Sequence, residues 1–191
     1  MTRAFVLKAS EGRTAPDFSL KSLASSPGRM DLVARCIIAS LYTKKGPRRD
    51  TTLVVVLEGD PNPPLSLIFD GSLMENIPSS EVKAAQIVYD ALSGTSIAGV
   101  RLERKTFERV VSDYKSNGYR LFYLHEEGQD SRQVQFGAKT AHILGDQKGI
   151  DSKSEQLLDG MKIERVSLGP YPYLASHCIT IINNELDAGK N

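Results

Sequence analysis

The chain predicts an α/β fold, a mostly parallel sheet with helices on both faces, and three observations carry that prediction. Strand-like and helix-like segments alternate to the end of the chain. The run TLVVVLEG (Thr52–Gly59) is apolar and β-branched without alternation, as a central strand covered on both sides is. The intervening segments carry helical periodicity, and parallel strands need such crossover connections.

The elements follow in order. AFVL (Ala4–Leu7) reads as a short strand, and the Ser/Pro/Gly-rich SLASSPG leads into a helix whose apolar residues Met30, Val33, Ala34, Ile37, Ile38 and Leu41 form one stripe. After TLVVVLEG and the break Pro-Asn-Pro-Pro, LSLIFDG (Leu65–Gly71) is a second strand of this type. Ser79 and Ser80 are cap candidates for a helix reaching about Ser93, and Phe107, Val110, Val111 and Tyr114 mark a helix ending near Asn117-Gly118. YRLFYL (Tyr119–Leu124) and AHIL (Ala141–Leu144) are strands, followed by a short helix at Glu155–Gly160, the strand KIERVSL (Lys162–Leu168) and a final helix from Tyr173 to Leu186. The polar EEGQDSRQ (Glu126–Gln133) reads as a surface loop, with a mobile lid as the second reading.

With 191 residues, 40% hydrophobic and 25% charged, the chain has the composition and length of one domain with one sizeable core. The amino end resembles no signal peptide and no segment approaches the roughly 18 apolar residues of a membrane helix, so a cytoplasmic location without membrane contact is expected. Cys36 and Cys178 have neither metal nor disulfide spacing; both are expected to be reduced, and no metal is expected. The net charge is +1, but residues 1–50 hold ten Lys or Arg against four acids, a local +6, while the remaining 141 residues carry −5. A basic amino-terminal region is the pattern of a protein that touches phosphates with one face, although solvated charges without a partner fit it equally.

No G-x-G-x-x-G, P-loop, H-E-x-x-H, paired C-x-x-C or G-x-S-x-G occurs, which removes the main support for dinucleotide, nucleoside triphosphate, zinc-hydrolase and serine-hydrolase readings. What remains are two strand ends that run into glycine-bearing loops, HILGD (His142–Asp146) and SLGPYPYLASHCI (Ser167–Ile179). Ligands of open α/β sheets bind beyond the carboxyl ends of the strands, and a glycine there lets main-chain groups approach them.

Taken together and in this order, PDFSLKSL (Pro16–Leu23), GRMDLVARC (Gly28–Cys36), RRD (Arg48–Asp50), GDPNPP (Gly59–Pro64), HILGD and SLGPYPYLASHCI resemble the archaeal tRNA pseudouridine N1-methyltransferases, the TrmY family of the SPOUT superfamily, over nearly the whole chain. The resemblance implies a SPOUT-type sheet with a C-terminal trefoil knot, an exception to the rule against knotted chains. It also implies S-adenosyl-L-methionine as cofactor, a homodimer, and methylation of the pseudouridine at position 54 of the tRNA T-loop.

Carried over by position, the cofactor pocket is lined by Leu124, Gly145, Leu168, Gly169, Pro170, Leu174 and Cys178. Leucine walls beside main-chain hydrogen-bonding groups suit an adenine. Cys178 also fits the core stripe of the last helix, and Gly145 also reads as a turn glycine; Asp146 is a cap or a loop anchor. Asp31 and Asp50 are the candidate general bases, and Arg29, Arg48 and Arg49 the candidate RNA contacts. The R-x-D of GRMD resembles an RNA-binding pattern of the sister family acting on ribosomal RNA. Asp31 has a second reading as the partner that fixes Arg29 or caps the helix starting there, and Arg48-Arg49 as a solvated loop. Two competing functions stand beside the tRNA enzyme: methylation of ribosomal RNA, and RNA binding without methyl transfer.

Overall fold

A computed structural model describes residues 1–189. Its centre is β1 (Thr2–Ala9), buried throughout Arg3–Ala9 and paired in parallel on both sides, with β2 (Thr51–Leu57) and with β6 (Lys139–Gly145). Beyond β6 lie β5 (Arg120–Asp130) and β7 (Glu164–Ser167), both parallel to it. Beyond β2 lie β3 (Leu65–Asp70) and β4 (Val100–Glu103), each antiparallel to its neighbour. The order is β4-β3-β2-β1-β6-β5-β7, so the sheet is mostly parallel with an antiparallel flank.

Successive residues of a strand face opposite sides of its sheet, and both sides here are apolar. Phe5, Leu7 and Ala9 join a core with α1 (Met30–Leu41), α2 (Glu81–Leu92) and α5 (Ala175–Ala188). Ala4 and Val6 join a second core with α3 (Phe107–Ser116) and α4 (Ser152–Gly160). That double cover is why β2 lacks alternation. Each fully buried Leu, Val or Phe in these layers stabilises the fold by about 1.5–3 kcal/mol. α1 packs against both α2 and α5, so its buried face extends beyond the expected stripe to Leu32, Cys36 and Ser40.

One strand and several boundaries depart from expectation. The first strand begins at Thr2, because Arg3 is drawn inside by polar partners rather than left in water. β4 has no sequence signature, since VRLE lies at the sheet edge with its side chains half-buried or exposed. Residues 126–130 are neither loop nor lid: β5 runs on to Asp130, with a register shift between Leu124 and Gln129 after which Gln129 and Asp130 pair with Val166 and Ser167. α5 begins at Ala175 rather than Tyr173, and α4 at Ser152, where Asp151 accepts from Ser154 N at 3.1 Å as the helix cap. Ser80 occupies the cap position of α2 without its side chain bonding there. No described helix is long and apolar enough to cross a membrane.

Candidate functional site

Three chain segments, the middle of β5 and the carboxyl ends of β6 and β7, border a cavity of about 580 Å³, within the ~300–1,000 Å³ range of small-molecule and cofactor sites. Tyr123–Glu126, where the regular pairing of β5 breaks, form one wall. Leu144, Gly145 and the turn to Ile150 form the second, and Leu168, Gly169 and the Tyr171–Ser176 segment the third.

The β6 turn is held open by Asp146. Its Oδ2 accepts from Ser10 N and Ser10 Oγ at 2.6 Å each, its Oδ1 from Lys148 N at 2.8 Å, and its own N–H donates to Lys8 O at 3.1 Å. Asp146 is therefore a loop anchor, tying the cavity wall to the end of β1. Gly145 is required by the same turn: a Cβ there would lie 2.3 Å from the carbonyl carbon and oxygen of Gly149. The glycine admits the chain's own backbone, which fits the turn-glycine reading. Gly169 has φ +140°, a conformation L side chains rarely adopt, so the β7–α5 turn also depends on glycine.

Lys8 fixes the far side. Its ammonium pairs with Glu58 and, at 2.8 Å, with Asp151. Hydrogen bonds from Lys8 hold the Asp151 carboxyl well below the usual range, outweighing burial. Since Asp151 caps α4, the ion pair sets where that helix starts and so where its first turn meets the cavity. There Tyr123 Oη donates to Glu155 Oε1 at 2.7 Å, and His125 Nε2 lies 3.7 Å from the same oxygen. Burial and the Glu155 carboxylate push the Tyr123 hydroxyl upward, so it remains a donor.

Of the residues expected to line a cofactor pocket, Leu124, Gly145, Leu168, Gly169, Leu174 and Cys178 line this cavity, and Pro170 does not. Cys178 is both wall and core: it packs against the α5-side core, and burial raises its thiol to about 11, which leaves it protonated and inert at neutral pH. Arg29 also lines the cavity, from a left-handed backbone position (φ 47°) just ahead of α1. Asp31 does not line it. Its carboxylate is buried and accepts from Arg29 Nε at 3.0 Å and Arg35 at 2.8 Å. Burial alone would raise its pKa, but the bonds from Arg29 and Arg35 outweigh that and leave it below the ordinary value. A lowered pKa makes a weak base, and the geometry is that of a residue fixing two arginines.

Arg48, Arg49 and Asp50 lie elsewhere. Asp50 sits beside the start of β2, level with Thr2, whereas Gly145 pairs with Lys8. At about 3.3 Å per residue the cavity is about 20 Å away, at the opposite end of the sheet. There the buried Arg3 guanidinium binds Asp50 at 3.1 Å, Asp187 at 2.9 Å and Asn183 Oδ1 at 2.9 Å, Arg48 joins Asp187 at 2.8 Å, and Arg49 donates to Met74 O at 2.7 Å. Sequence reasoning missed Tyr123, His125, Glu155 and Arg35. The alternation of Tyr123 and His125 around Leu124 was a usable signal for two of them.

A parallel sheet carrying an apolar, glycine-edged cavity beyond its strand ends defines a binder of a small organic ligand or cofactor. The comparison with known proteins gives the particular kind. A family model described as "Putative SAM-dependent RNA methyltransferase" matches residues 2–190, and the chain belongs to that family. A tRNA (pseudouridine(54)-N(1))-methyltransferase of Methanococcoides burtonii is 36% identical over 193 residues, covering 97% of this chain and 96% of the relative. The protein of the same name from Methanocaldococcus jannaschii is 34% identical, with coverage of 97% and 96%. The crystal structure of Archaeoglobus fulgidus Nep1 bound to S-adenosylhomocysteine superposes with a TM-score of 0.71 at 14% identity, covering 100% of this chain and 99% of that one, which establishes a shared fold. The cavity suits the family's cofactor, with leucine walls for an adenine and main-chain groups exposed at two glycine turns.

Proposed function

We propose that this chain methylates N1 of pseudouridine 54 in the tRNA T-loop, as its relatives are named for doing. The observation that carries the reading is the convergence of the middle of β5 and the ends of β6 and β7 on one cofactor-sized cavity that Arg29 also lines. S-adenosyl-L-methionine supplies an electrophilic methyl group. The protein's share is placement: Leu124, Leu168 and Leu174 exclude water, and Arg29, steadied by Asp31, stands where an RNA phosphate or a uracil carbonyl would arrive. Of the two candidate bases, Asp31 is occupied by two arginines and Asp50 faces the other end of the sheet, so neither takes the N1 proton at the cavity of its own chain.

The same reading includes a single domain, a threaded C-terminal segment, a cytoplasmic setting and a homodimer, in which a role for Arg48 or Arg49 at the cavity would require the partner subunit. The test is mass spectrometry of nucleosides from a pseudouridylated T-loop RNA incubated with protein and cofactor. N1-methylpseudouridine at the T-loop site is the expected product. Unmodified pseudouridine with folded protein rules the activity out.

A further inference from the structure

The cavity crosses the edge of the sheet, and its two sides carry opposite charge. On the α1 side stand Arg29 and Arg35; on the α4 side stands Glu155. Strand alternation produces the division, since Leu124 packs with the α5-side core while Tyr123 belongs to the α4-side core, with the His125 ring 5.2 Å from it. Glu155 is the ordered carboxylate of this side. Its side chain is 30% exposed, Oε1 is held by Tyr123 Oη, and Oε2 accepts from no protein group among the described residues. Asp146, by contrast, spends both oxygens on Ser10 and Lys148. A carboxylate that loses water when a ligand fills the cavity needs a donor or a cation from that ligand.

We propose that Glu155, positioned by Tyr123, anchors the α-ammonium of the methyl donor's methionine end. This rests on the methyltransferase reading given above. An RNA approaching the arginine side then meets the donor's reactive centre, while the charged tail lies on the acidic side, away from the phosphates. The ammonium is preferred over the ribose hydroxyls because a half-buried carboxylate gains more from a charged partner than from a neutral one.

Three nucleosides separate the contacts by calorimetry: S-adenosylmethionine, S-adenosylhomocysteine, which lacks the sulfonium charge, and 5′-methylthioadenosine, which lacks the amino-acid end. Glu155→Gln keeps an oxygen for Tyr123. It is expected to weaken the first two by a similar factor, about 10- to 100-fold, and to leave methylthioadenosine within about 2-fold. Tyr123→Phe should show the same pattern with a smaller loss, and Glu126→Gln no loss. Parallel weakening of methylthioadenosine would assign the contact to the ribose and overturn the proposal. Loss confined to S-adenosylmethionine would assign it to the sulfonium, and unchanged affinity for all three, or a larger effect at Glu126, would also end it. Wild-type protein that binds none of the three refutes the methyltransferase reading itself, whereas wild-type binding with an indifferent Glu155→Gln refutes this proposal alone.

Discussion

Asp31→Asn separates a positioning carboxylate from a catalytic one. The Asp31 side chain is 5% exposed and bridges Arg29 and Arg35, whose side chains are 39% and 29% exposed. Removing one partner of a buried pair costs about 3–5 kcal/mol when the remaining charge is trapped, but an exposed pair contributes only about 0.2–1 kcal/mol. Because both guanidinium groups keep access to water, the expected loss lies between, at about 1–2 kcal/mol. For a chain of this size that lowers Tm by about 2–8 °C. The released Arg29 should weaken RNA binding by about 5- to 30-fold, since 1.4 kcal/mol is tenfold, while S-adenosylmethionine affinity stays within about 2-fold. Single-turnover methyl transfer at saturating RNA should then return to near the wild-type rate. A general base would behave differently, with a rate loss of about 10²–10⁴ that no RNA concentration restores. That result, with Tm and RNA affinity unchanged, would refute the positioning role.

Gly145→Ala places a methyl 2.3 Å from the Gly149 carbonyl, so the turn must open at a cost of about 1–3 kcal/mol; calorimetry should show cofactor affinity falling by about 5- to 150-fold, and unchanged affinity would remove this turn from the site. Arg3→Met removes the buried guanidinium, but Asp50 and Asp187 keep access to water and Asp187 keeps Arg48, so the cost in urea unfolding should be about 1–2 kcal/mol, whereas a neutral outcome would mean that apolar packing replaces the ion pairs. The carboxyls of Asp31, Asp151 and Asp187 are held below their ordinary value of 3.8, so the folded state binds fewer protons than the unfolded one; their stabilisation is fully present above about pH 4 and is lost as pH falls through the folded values. Thermal unfolding should accordingly show Tm dropping below about pH 4, and a flat profile down to about pH 2.5 would contradict these ion pairs.

Much of the architecture was readable where burial leaves a periodic mark. The α1 stripe and the unalternating β2 are consequences of two covered faces, and both are plain in the sequence. β4 was not readable, because an edge strand with exposed Arg101 and Leu102 needs no apolar pattern. The extension of β5 was concealed by its polarity, since its pairing to β7 rests on backbone bonds rather than on buried side chains. At the site, loops that follow parallel strands converge, and six of the seven residues that the family resemblance implied line one cavity. Charge along the chain carries no such constraint. Arg29 and Arg48 are close in sequence, yet α1 runs between them from one end of the sheet to the other, so one reaches the cavity and the other its opposite pole.

The last helix begins in the cavity wall at Ala175 and, 14 residues later, ends beside the Arg3 cluster, where Asn183 and Asp187 grip the first strand. At 1.5 Å rise per residue it is a strut of about 21 Å with its anchorage remote from its working end. Lever arms of this kind convert slack at the fastening into tilt at the tip, so changes near Asp187 should register as altered donor affinity although no atom there meets the ligand.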